Sequence, residues 1–363
     1  MKYILILLLT IILTTGAARA SHQDTSTEIE NLKERIHILE SKNGIETTDS
    51  GPFTLHTGDR ALSFSSLIEI EAGYSKSSGE DAISDLKLAT LQLSAEAQVN
   101  KQVDGHVILL FEEEGGDDAL KVDEAVITLH LPQHFLGQDP SLDLGKLYLP
   151  FGKFNSAMIS DPLTLDLGET QNSAAVFGLS GDLWSLRVGL FNGETEKDND
   201  TIDSFVVSLE ITPAKGVNFG TSYLSNLGES GAGLVADPTL YASSVAAASA
   251  FASLAFGPIG LETEVVTAHN DFDTALIGLS DSDLTGKRPL AWQTQLSWRP
   301  AEVLQLATRV EGAKDYQDDV TRYGATVSYG LTKGAVIALE YLYSDFVNDL
   351  KNQTVTAQLA MEF

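Results

Sequence analysis

The last nine residues of the chain, from Val355 to Phe363, read VTAQLAMEF. Apolar side chains stand at every second position and end with the aromatic ring of Phe363. A β-strand has this period of two, because successive side chains point to opposite faces of the sheet. Chain ends usually fray, whereas this alternation runs to the final residue. The stretch therefore predicts a strand that is paired with a neighbour up to its last residue.

The opposite end of the chain carries the features of a secretory signal peptide. Its first twenty residues read MKYILILLLTIILTTGAARA, with Lys2, an apolar run over residues 4–13 and the small-residue site Ala18-Arg19-Ala20. The apolar run is shorter than the roughly 20 residues that a membrane-spanning helix needs. We therefore expect residues 1–20 to be a cleaved signal peptide and the mature protein to be exported to the bacterial cell envelope.

Composition excludes several classes of site and partner. The sequence of 363 residues contains no cysteine, which rules out disulfides, thiolate metal sites and cysteine nucleophiles. The formal net charge is −28, and such an excess of acid would repel the phosphates of nucleic acid. The same charge attracts cations and solutes with cationic groups. We therefore expect no nucleic-acid partner.

Residues 21–44 have a helical period. Ile29, Leu32, Ile36 and Leu39 recur at a-and-d spacing among charged residues, a pattern typical of a coiled coil. The stripe predicts either a periplasmic coiled coil between subunits, which we favour, or an amphipathic helix packed on its own protein. Residues 45–60, which include TTDSGPFTLHTGD, are predicted to be a linker.

From Ala61 onward the period changes to two and stays there. In FSSLIEIEAGY, residues 64–74, Ile68 and Ile70 share one face while Glu69 and Glu71 share the other. LATLQLSAEAQV, SFVVSLEIT and VIALEYLYSDF repeat the form. Alternation alone fits a soluble sandwich as well as a membrane barrel. Long strands with a polar face rich in Gln and Glu favour the barrel, which has lipid outside and water within.

Sixteen such segments predict an all-β fold, a transmembrane antiparallel β-barrel over residues 61–363. Their connections alternate between a mostly short, turn-rich set and a longer, acidic set, as in outer-membrane barrels. A barrel of about 16 strands leaves an aqueous lumen. The predicted strands begin near Ala61, Leu86, Val103, Lys121, Leu142, Ala174, Leu183, Asp203, Gly216, Ala246, Ile259, Pro289, Val303, Val320, Ala335 and Lys351.

In this barrel, VTAQLAMEF is the final strand, which removes the edge of the sheet by pairing with the first strand. The terminal Phe363, preceded by apolar residues at alternating positions, resembles the C-terminal signal that outer-membrane assembly machinery recognises. We therefore expect the barrel assembly machinery and outer-membrane lipid as partners. Other 16-stranded porins suggest a homotrimer.

One connection is unusually long. The residues from the fifth to the sixth strand read KLYLPFGKFNSAMISDPLTLDLGETQNSAAVFGLSG, about twice the length of an ordinary loop. They predict either a loop turned into the lumen as a constriction, which we favour, or an extracellular loop packed on its neighbours. Turned inward, the loop would present Lys153, Asp161, Asp166 and Glu169 to a solute.

The inward strand faces supply the other candidate pore-lining residues. By alternation, eleven glutamates face the lumen and four arginines oppose them, an excess that predicts a preference for cations. At most single positions, solvation of the wall is the simpler explanation of the charge. The glutamates are Glu69, Glu71, Glu96, Glu112, Glu124, Glu210, Glu262, Glu264, Glu311, Glu340 and Glu362, and the arginines are Arg187, Arg299, Arg309 and Arg322.

Catalytic motifs are not convincing in this sequence. His130 and His134 are four residues apart, but Pro132 between them prevents a helical metal site. GESGAG has Ala232 where the nucleophile-elbow pattern requires glycine, and DNDTID lacks the glycine of a calcium loop. We expect no enzymatic activity, no cofactor and no bound metal.

The long connection also carries a resemblance to a known family. YLPFGKFNSAMISDPLTLDLGET, residues 148–170, resembles the most recognisable segment of the LbtU-type siderophore porins of bacterial outer membranes. The predicted coiled coil, the barrel length and Phe363 agree with that family over essentially the whole mature chain. The resemblance implies uptake of ferric siderophore by a barrel without a plug, and it assigns no ligand-binding residue. Residues 21–60 are too few for the plug of a 22-stranded transporter.

Two other function classes stay open. A general diffusion porin for small cationic or neutral solutes would use the same fold. A surface adhesin or structural barrel, tethered through the coiled coil, would conduct little. Single-channel conductance distinguishes the last class, and solute competition distinguishes the first two.

Overall fold

The computed structural model describes residues 45–46, 53–57, 60–113, 119–132, 137–193, 195, 201–235, 244–272, 284, 286–316, 319–347 and 349–363. The chain divides into two compact units, residues 1–47 and residues 48–363. In the first unit the described part is the two-residue strand β1 (Ile45–Glu46). The predicted signal peptide and the coiled coil predicted over residues 21–44 lie outside the described residues. Within the described part of the chain, no helix has both the length and the apolar character to cross a membrane.

The second unit contains a short strand, β2 (Phe53–Thr57), and an antiparallel barrel of sixteen strands, each paired with the next along the chain. All sixteen begin within three residues of the predicted positions, so the predicted barrel is confirmed. Its strands are β3 (Arg60–Ser77), β4 (Ile83–Asn100), β5 (Val103–Phe111), β6 (Lys121–His130), β7 (Asp139–Tyr148), β8 (Gln171–Ser180), β9 (Trp184–Phe191), β10 (Ser204–Ala214), β11 (Val217–Leu224), β12 (Ala247–Phe256), β13 (Ile259–Ala268), β14 (Leu290–Ala301), β15 (Leu304–Lys314), β16 (Val320–Thr332), β17 (Ala335–Phe346) and β18 (Lys351–Glu362).

The barrel closes where β18 pairs with β3, as the terminal alternation predicts. Ser66 donates its backbone N–H to the carbonyl oxygen of Phe363 at 2.8 Å, and Phe363 donates its own N–H to Ser66 at 3.1 Å. These reciprocal bonds pair the last residue of the chain with the first barrel strand. Closure of this kind satisfies the backbone groups that an edge strand would leave open.

The exterior of the barrel is apolar and the interior is polar. On β14, Gln293 and Gln295 are 1% and 2% exposed, whereas Leu296 and Trp298 on the opposite face are 50% and 47% exposed. A soluble protein would bury the leucine and the tryptophan. The reversed arrangement is that of a barrel whose outer face contacts lipid.

The segment predicted to be a linker, residues 45–60, contains the short strands β1 and β2. β3 begins at Arg60, so its first residues extend beyond Ser66, where β18 ends. β2 pairs with this extension, from Phe53 opposite Phe64 to Thr57 opposite Arg60, and the rings of Phe53 and Phe64 stack with centroids 6.5 Å apart. β2 therefore covers backbone groups of β3 that the final strand does not reach.

Candidate functional site

Residues 149–170, called the inward segment below, connect β7 to β8 and lie inside the barrel. Leu149 donates its N–H to the carbonyl oxygen of Thr170 at 2.8 Å, which closes the base of the segment. Gly152 and Phe154 both have positive φ angles, 76° and 55°. A Cβ on Gly152 would lie 2.2 Å from the Phe154 ring, so the turn requires glycine. The position of the segment agrees with the lumenal alternative of the sequence prediction.

Carboxylates from the wall hold the backbone of the inward segment. Glu264 on β13 accepts the N–H groups of Lys153 at 2.6 Å and Phe154 at 2.8 Å. Glu340 on β17 accepts the N–H group of Ile159 at 2.6 Å. Hydrogen bonds to a charged acceptor are about twice as strong as neutral ones. The wall glutamates therefore fix the path of the segment.

A third carboxylate and an arginine complete this attachment on β15. Glu311 accepts the N–H group of Leu163 at 2.9 Å and lies 3.2 Å from Arg309 Nε. Arg309, which is 1% exposed, donates to the carbonyl oxygens of Ser160 at 2.9 Å and Asp161 at 3.0 Å. The buried ion pair thus satisfies backbone donors and acceptors of the inward segment at once. A buried charge pair is stable only with such additional partners.

Apolar packing holds the rest of the segment. Its short helix α1 (Leu163–Gly168) places Leu163 and Leu167 in a fully buried cluster. The same cluster contains Phe151 of the segment and wall residues such as Val206 on β10 and Ala291 on β14. Side chains that burial removes from water in this way contribute about 1.5–3 kcal/mol each. The segment therefore fills the side of the lumen formed by β10 to β17.

A cavity on the other side of the lumen, called the eyelet below, lies between the inward segment and strands β3 to β6 and β18. It has a volume of about 660 Å³. Of the described residues that line it, six are carboxylates and one, Lys87, is basic. Lys87 Nζ lies 3.8 Å from an oxygen of Glu71. The carboxylates are Glu69, Glu71, Glu112, Asp123, Asp161 and Glu169.

Two carboxylates of the inward segment have raised pKa values. Burial, followed by repulsion from Asp161, Asp123, Glu112 and Asp166, raises the pKa of Glu169 to about 7. Burial raises the pKa of Asp166 to about 6, although Arg322 opposes that shift. Loss of hydration and nearby like charges both disfavour the ionised form of a carboxyl group. The charge of the eyelet therefore changes with pH near neutrality.

The predicted pore residues fall into groups that line the eyelet, that are buried beneath the inward segment, or that lie elsewhere in the lumen. Glu69, Glu71, Glu112, Asp161 and Glu169 meet in the eyelet. Glu264, Glu340 and Arg309 are buried beneath the inward segment. Asp166 and Arg322 lie 3.9 Å apart beside Glu311.

The other predicted pore residues lie away from the eyelet. Arg187 forms an ion pair with Asp143 at 2.7 Å. Lys153 Nζ lies 3.2 Å from Glu210 and 5.5 Å above the ring of Phe251. Glu262 accepts a hydrogen bond from Asn155 at 3.3 Å, and Arg299 donates one to Gln305 at 3.0 Å. Glu96 lines a different cavity, of about 350 Å³.

Asp123 is an eyelet residue that the sequence analysis missed. The register of β5 with β6 shifts there, with Ile108 opposite Glu124 and Leu109 opposite Val122. Such a bulge leaves one extra residue unpaired and breaks the two-residue alternation. Asp123 accepts from the hydroxyl of Tyr148 at 3.0 Å. An alternation count assigns Asp123 and Glu124 to opposite faces, so it could not find both.

Comparison with known sequences gives distant relatives. No protein-family model matches the chain. A UPF0422 protein of Coxiella burnetii is 24% identical over 318 residues, which cover 81% of this chain and 66% of that protein. A UPF0422 protein of Legionella pneumophila is 26% identical over 98 residues, which cover 26% of this chain and 18% of that protein. The matched part is thus less than two thirds of the length of each relative.

Solved structures with the same fold are outer-membrane proteins. The outer membrane channel DcaP of Acinetobacter baumannii has a TM-score of 0.63 at 12% identity, over 85% of this chain and 99% of that one. OmpF of Salmonella typhi, in a complex with daunomycin, has a TM-score of 0.60 at 11% identity, over 86% and 100%. A trimer form of Vibrio cholerae OmpT has a TM-score of 0.53 at 13% identity, over 84% and 99%. The chain has the fold of Gram-negative porins and is a protein of the bacterial outer membrane.

Proposed function

We propose that the protein is a diffusion channel that passes small cationic and neutral solutes and disfavours anions. The observation that supports this function is the lining of the eyelet, with six carboxylates and one lysine around an opening of about 660 Å³. Carboxylates in a narrow pore raise the local concentration of cations and repel anions.

The position of these carboxylates matters more than the total count of acids. Glu264 and Glu311 are 5% and 0% exposed, and their oxygens are engaged by the inward segment, so a passing solute does not reach them. Glu69 and Glu71 project from β3, whereas Asp161 projects from the inward segment on the other side of the eyelet. A solute therefore passes between charged groups on both sides.

Reversal potentials in planar bilayers test this function. We expect a cation-selective wild type whose preference weakens with salt, because the screening length falls from about 10 Å at 0.1 M to about 3 Å at 1 M. The double variant Glu69→Gln/Glu112→Gln should lose much of the preference. Asp182→Asn/Glu302→Gln, which also removes two charges but changes exposed residues of short turns away from the eyelet, serves as the matched control. An anion-selective wild type would refute the proposal.

Uptake of ferric siderophore is a narrower candidate for the same channel. The segment with the resemblance to LbtU-type porins, residues 148–170, supplies one side of the eyelet. Sites for drug-sized ligands commonly have volumes of about 300–1,000 Å³, which is compatible with a small chelate here. The acidic lining suits a chelate with cationic or neutral groups and opposes a polyanionic one.

Growth of a deletion strain tests the siderophore candidate. Deletion should impair growth on ferric siderophore and spare growth on free iron. Unchanged uptake of the ferric siderophore in the deletion strain would leave the general diffusion channel as the function. A barrel that conducts no ions in bilayers would instead indicate an adhesin or a structural protein.

The proposal includes two partners of the barrel. A homotrimer is consistent with the trimer form of one structural neighbour, and the stripe from Ile29 to Leu39 would assemble it. Phe363 and the strand before it would provide the signal for the barrel assembly machinery.

A further inference from the structure

The eyelet is lined by apolar side chains as well as by carboxylates. Leu67 on β3 and Leu110 on β5 face it from the wall, and Met158 and Ile159 face it from the inward segment. Apolar surface is therefore present on both sides of the path. A purely aqueous filter for inorganic ions gains nothing from such a lining, because these ions keep their hydration water.

Met158 is held in this position by the wall. The hydroxyl oxygen of Thr326 lies 3.1 Å from the sulfur of Met158. The methyl group of Met158 lies where Gly324 has no side chain, since a Cβ on Gly324 would approach it to 2.6 Å. The apolar side of the inward segment is thus packed in place and does not depend on a mobile loop.

The apolar and acidic residues follow a common order along two strands. Leu67 precedes Glu69 by two positions on β3, and Leu110 precedes Glu112 by two positions at the end of β5. Both strands run from the side with short turns, which is periplasmic in outer-membrane barrels. The leucines therefore lie on the periplasmic side of the glutamates. A solute entering from outside therefore meets Glu69 and Glu112 before Leu67 and Leu110. The four apolar side chains of Leu67, Leu110, Met158 and Ile159 are called the apolar collar.

We propose that the eyelet binds organic cations in transit, with the ammonium group at the carboxylates and an apolar body against the collar. The inference rests on the proposed channel function and names the solute class of that channel. An inorganic cation interacts with the carboxylates alone. A solute with both groups also removes apolar surface from water at the collar, which is favourable in proportion to the area covered.

Block of the potassium current tests this solute class. Benzyltrimethylammonium carries a benzyl group where tetramethylammonium carries a fourth methyl group, so it has more apolar surface at the same charge. We expect the wild type to bind benzyltrimethylammonium more tightly than tetramethylammonium. Leu67→Asn and Leu110→Asn keep the number and branching of the side-chain heavy atoms but make the side chain polar, and each should weaken binding of the benzyl compound by roughly three- to tenfold. The ratio of the two blocking constants reports the collar, because the variants should weaken tetramethylammonium, which lacks the benzyl group, less than the benzyl compound.

Leu67→Ile keeps the apolar surface and should keep the affinity of the benzyl compound. Leu110 is 9% exposed, so Leu110→Asn could disturb folding, and it is interpreted only if the unheated protein migrates in a gel as the folded barrel does. Leu67 is less buried, so Leu67→Asn provides an independent measurement. Unchanged block by benzyltrimethylammonium in Leu67→Asn would overturn the inference. In that case a cation-selective wild type would still support the proposed function, whereas a conducting wild type without cation preference would refute the selectivity on which both proposals rest.

Discussion

Ile159 donates its backbone N–H to the carboxylate of Glu340 at 2.6 Å, although 181 positions separate the two residues in the sequence. Ser160 donates its N–H to the same carboxylate at 3.2 Å, and Thr326 donates its hydroxyl at 2.8 Å. Glu340 is 3% exposed and does not line the eyelet. It nevertheless sets the position of Ile159 and Ser160, which do. The width of the eyelet thus depends on a residue that a solute does not contact.

Glu340→Gln should loosen the inward segment. A neutral amide has one acceptor oxygen in place of two, so at least one of the three donors loses its bond. We expect the free energy of unfolding to fall by about 1–3 kcal/mol, and single-channel records to show a larger conductance and more open-channel noise. Glu362→Gln is the control for removal of one negative charge, and it should leave the noise unchanged. A quiet Glu340→Gln channel of wild-type conductance would contradict the role assigned to this carboxylate.

The ion pair of Arg309 and Glu311 should be strongly coupled. In Arg309→Met, the buried negative charge of Glu311 loses its nearest positive partner. Arg322, the other arginine beside it, approaches Glu311 only to 3.9 Å. Removing one partner of a buried pair costs about 3–5 kcal/mol. The double variant Arg309→Met/Glu311→Gln removes both charges and should recover part of that loss. Equilibrium unfolding of the four proteins in a double-mutant cycle measures the coupling, and additive losses would show that the two side chains act independently.

The cation preference should depend on pH because of Glu169. Burial and neighbouring carboxylates raise the pKa of Glu169 to about 7, so acidification from pH 8 to pH 6 protonates it. The ratio of cation to anion permeability should therefore fall over this range. In Glu169→Gln, the permeability ratio should depend less on pH and should stay near the value that the wild type has at pH 6. A wild-type profile that stays constant from pH 8 to pH 6 would contradict this assignment.

The stability of the barrel should show the opposite trend with pH. The folded-state pKa of Glu169 lies above its ordinary value of 4.5, so the folded state binds the proton more tightly than the unfolded state does. The stabilising contribution is fully present below pH 4.5 and is lost as the pH rises through about 7. Glu169→Gln should remove this part of the pH dependence in equilibrium unfolding. Identical pH profiles of unfolding in wild type and variant would contradict the raised pKa.

The sequence predicts the barrel well because its period of two acts locally on every strand. The terminal VTAQLAMEF and the sixteen strand starts follow from that period, and closure through Ser66 and Phe363 follows from the need to pair an edge. The division of the glutamates does not follow from it. Alternation places Glu69 and Glu340 alike on the inward face. Only the three-dimensional path of the inward segment covers Glu340 and leaves Glu69 in the eyelet.

Bulges limited the prediction of the eyelet in another way. The shift opposite Ile108 brings Asp123 into the eyelet. The shift between Glu69 and Ile70 leaves Ala89 of β4 unpaired, so that Lys87 and Gln92 both line the eyelet although they are five positions apart. A bulge depends on the hydrogen-bond register of two strands, which no single segment encodes. The linker prediction differed from the structure for a related reason. β2 is a strand because β3 extends beyond Ser66 and offers it a partner.

The stripe of Ile29, Leu32, Ile36 and Leu39 should assemble a trimer. Leu32→Asp/Ile36→Asp would place charges in the hydrophobic seam of a coiled coil and should dissociate it. Chemical crosslinking followed by gel electrophoresis measures the oligomer. Glu30→Gln/Glu34→Gln changes polar positions of the same stretch and should leave the trimer intact. The same crosslinked species in wild type and the aspartate variant would show that another surface assembles the protein.

Deletion of Phe363 should impair closure of the barrel. The deletion removes both reciprocal hydrogen bonds with Ser66 and the terminal aromatic ring of the predicted assembly signal. A closed barrel satisfies its backbone internally and resists detergent, so unheated wild type should migrate differently from boiled wild type in a denaturing gel. The deletion should reduce the folded band in outer membranes. Phe363→Tyr keeps the ring and the backbone bonds and should restore that band, which separates closure of the seam from a general effect on expression. Equal amounts of folded barrel with and without Phe363 would show that pairing of β18 with β3 up to Glu362 suffices for assembly.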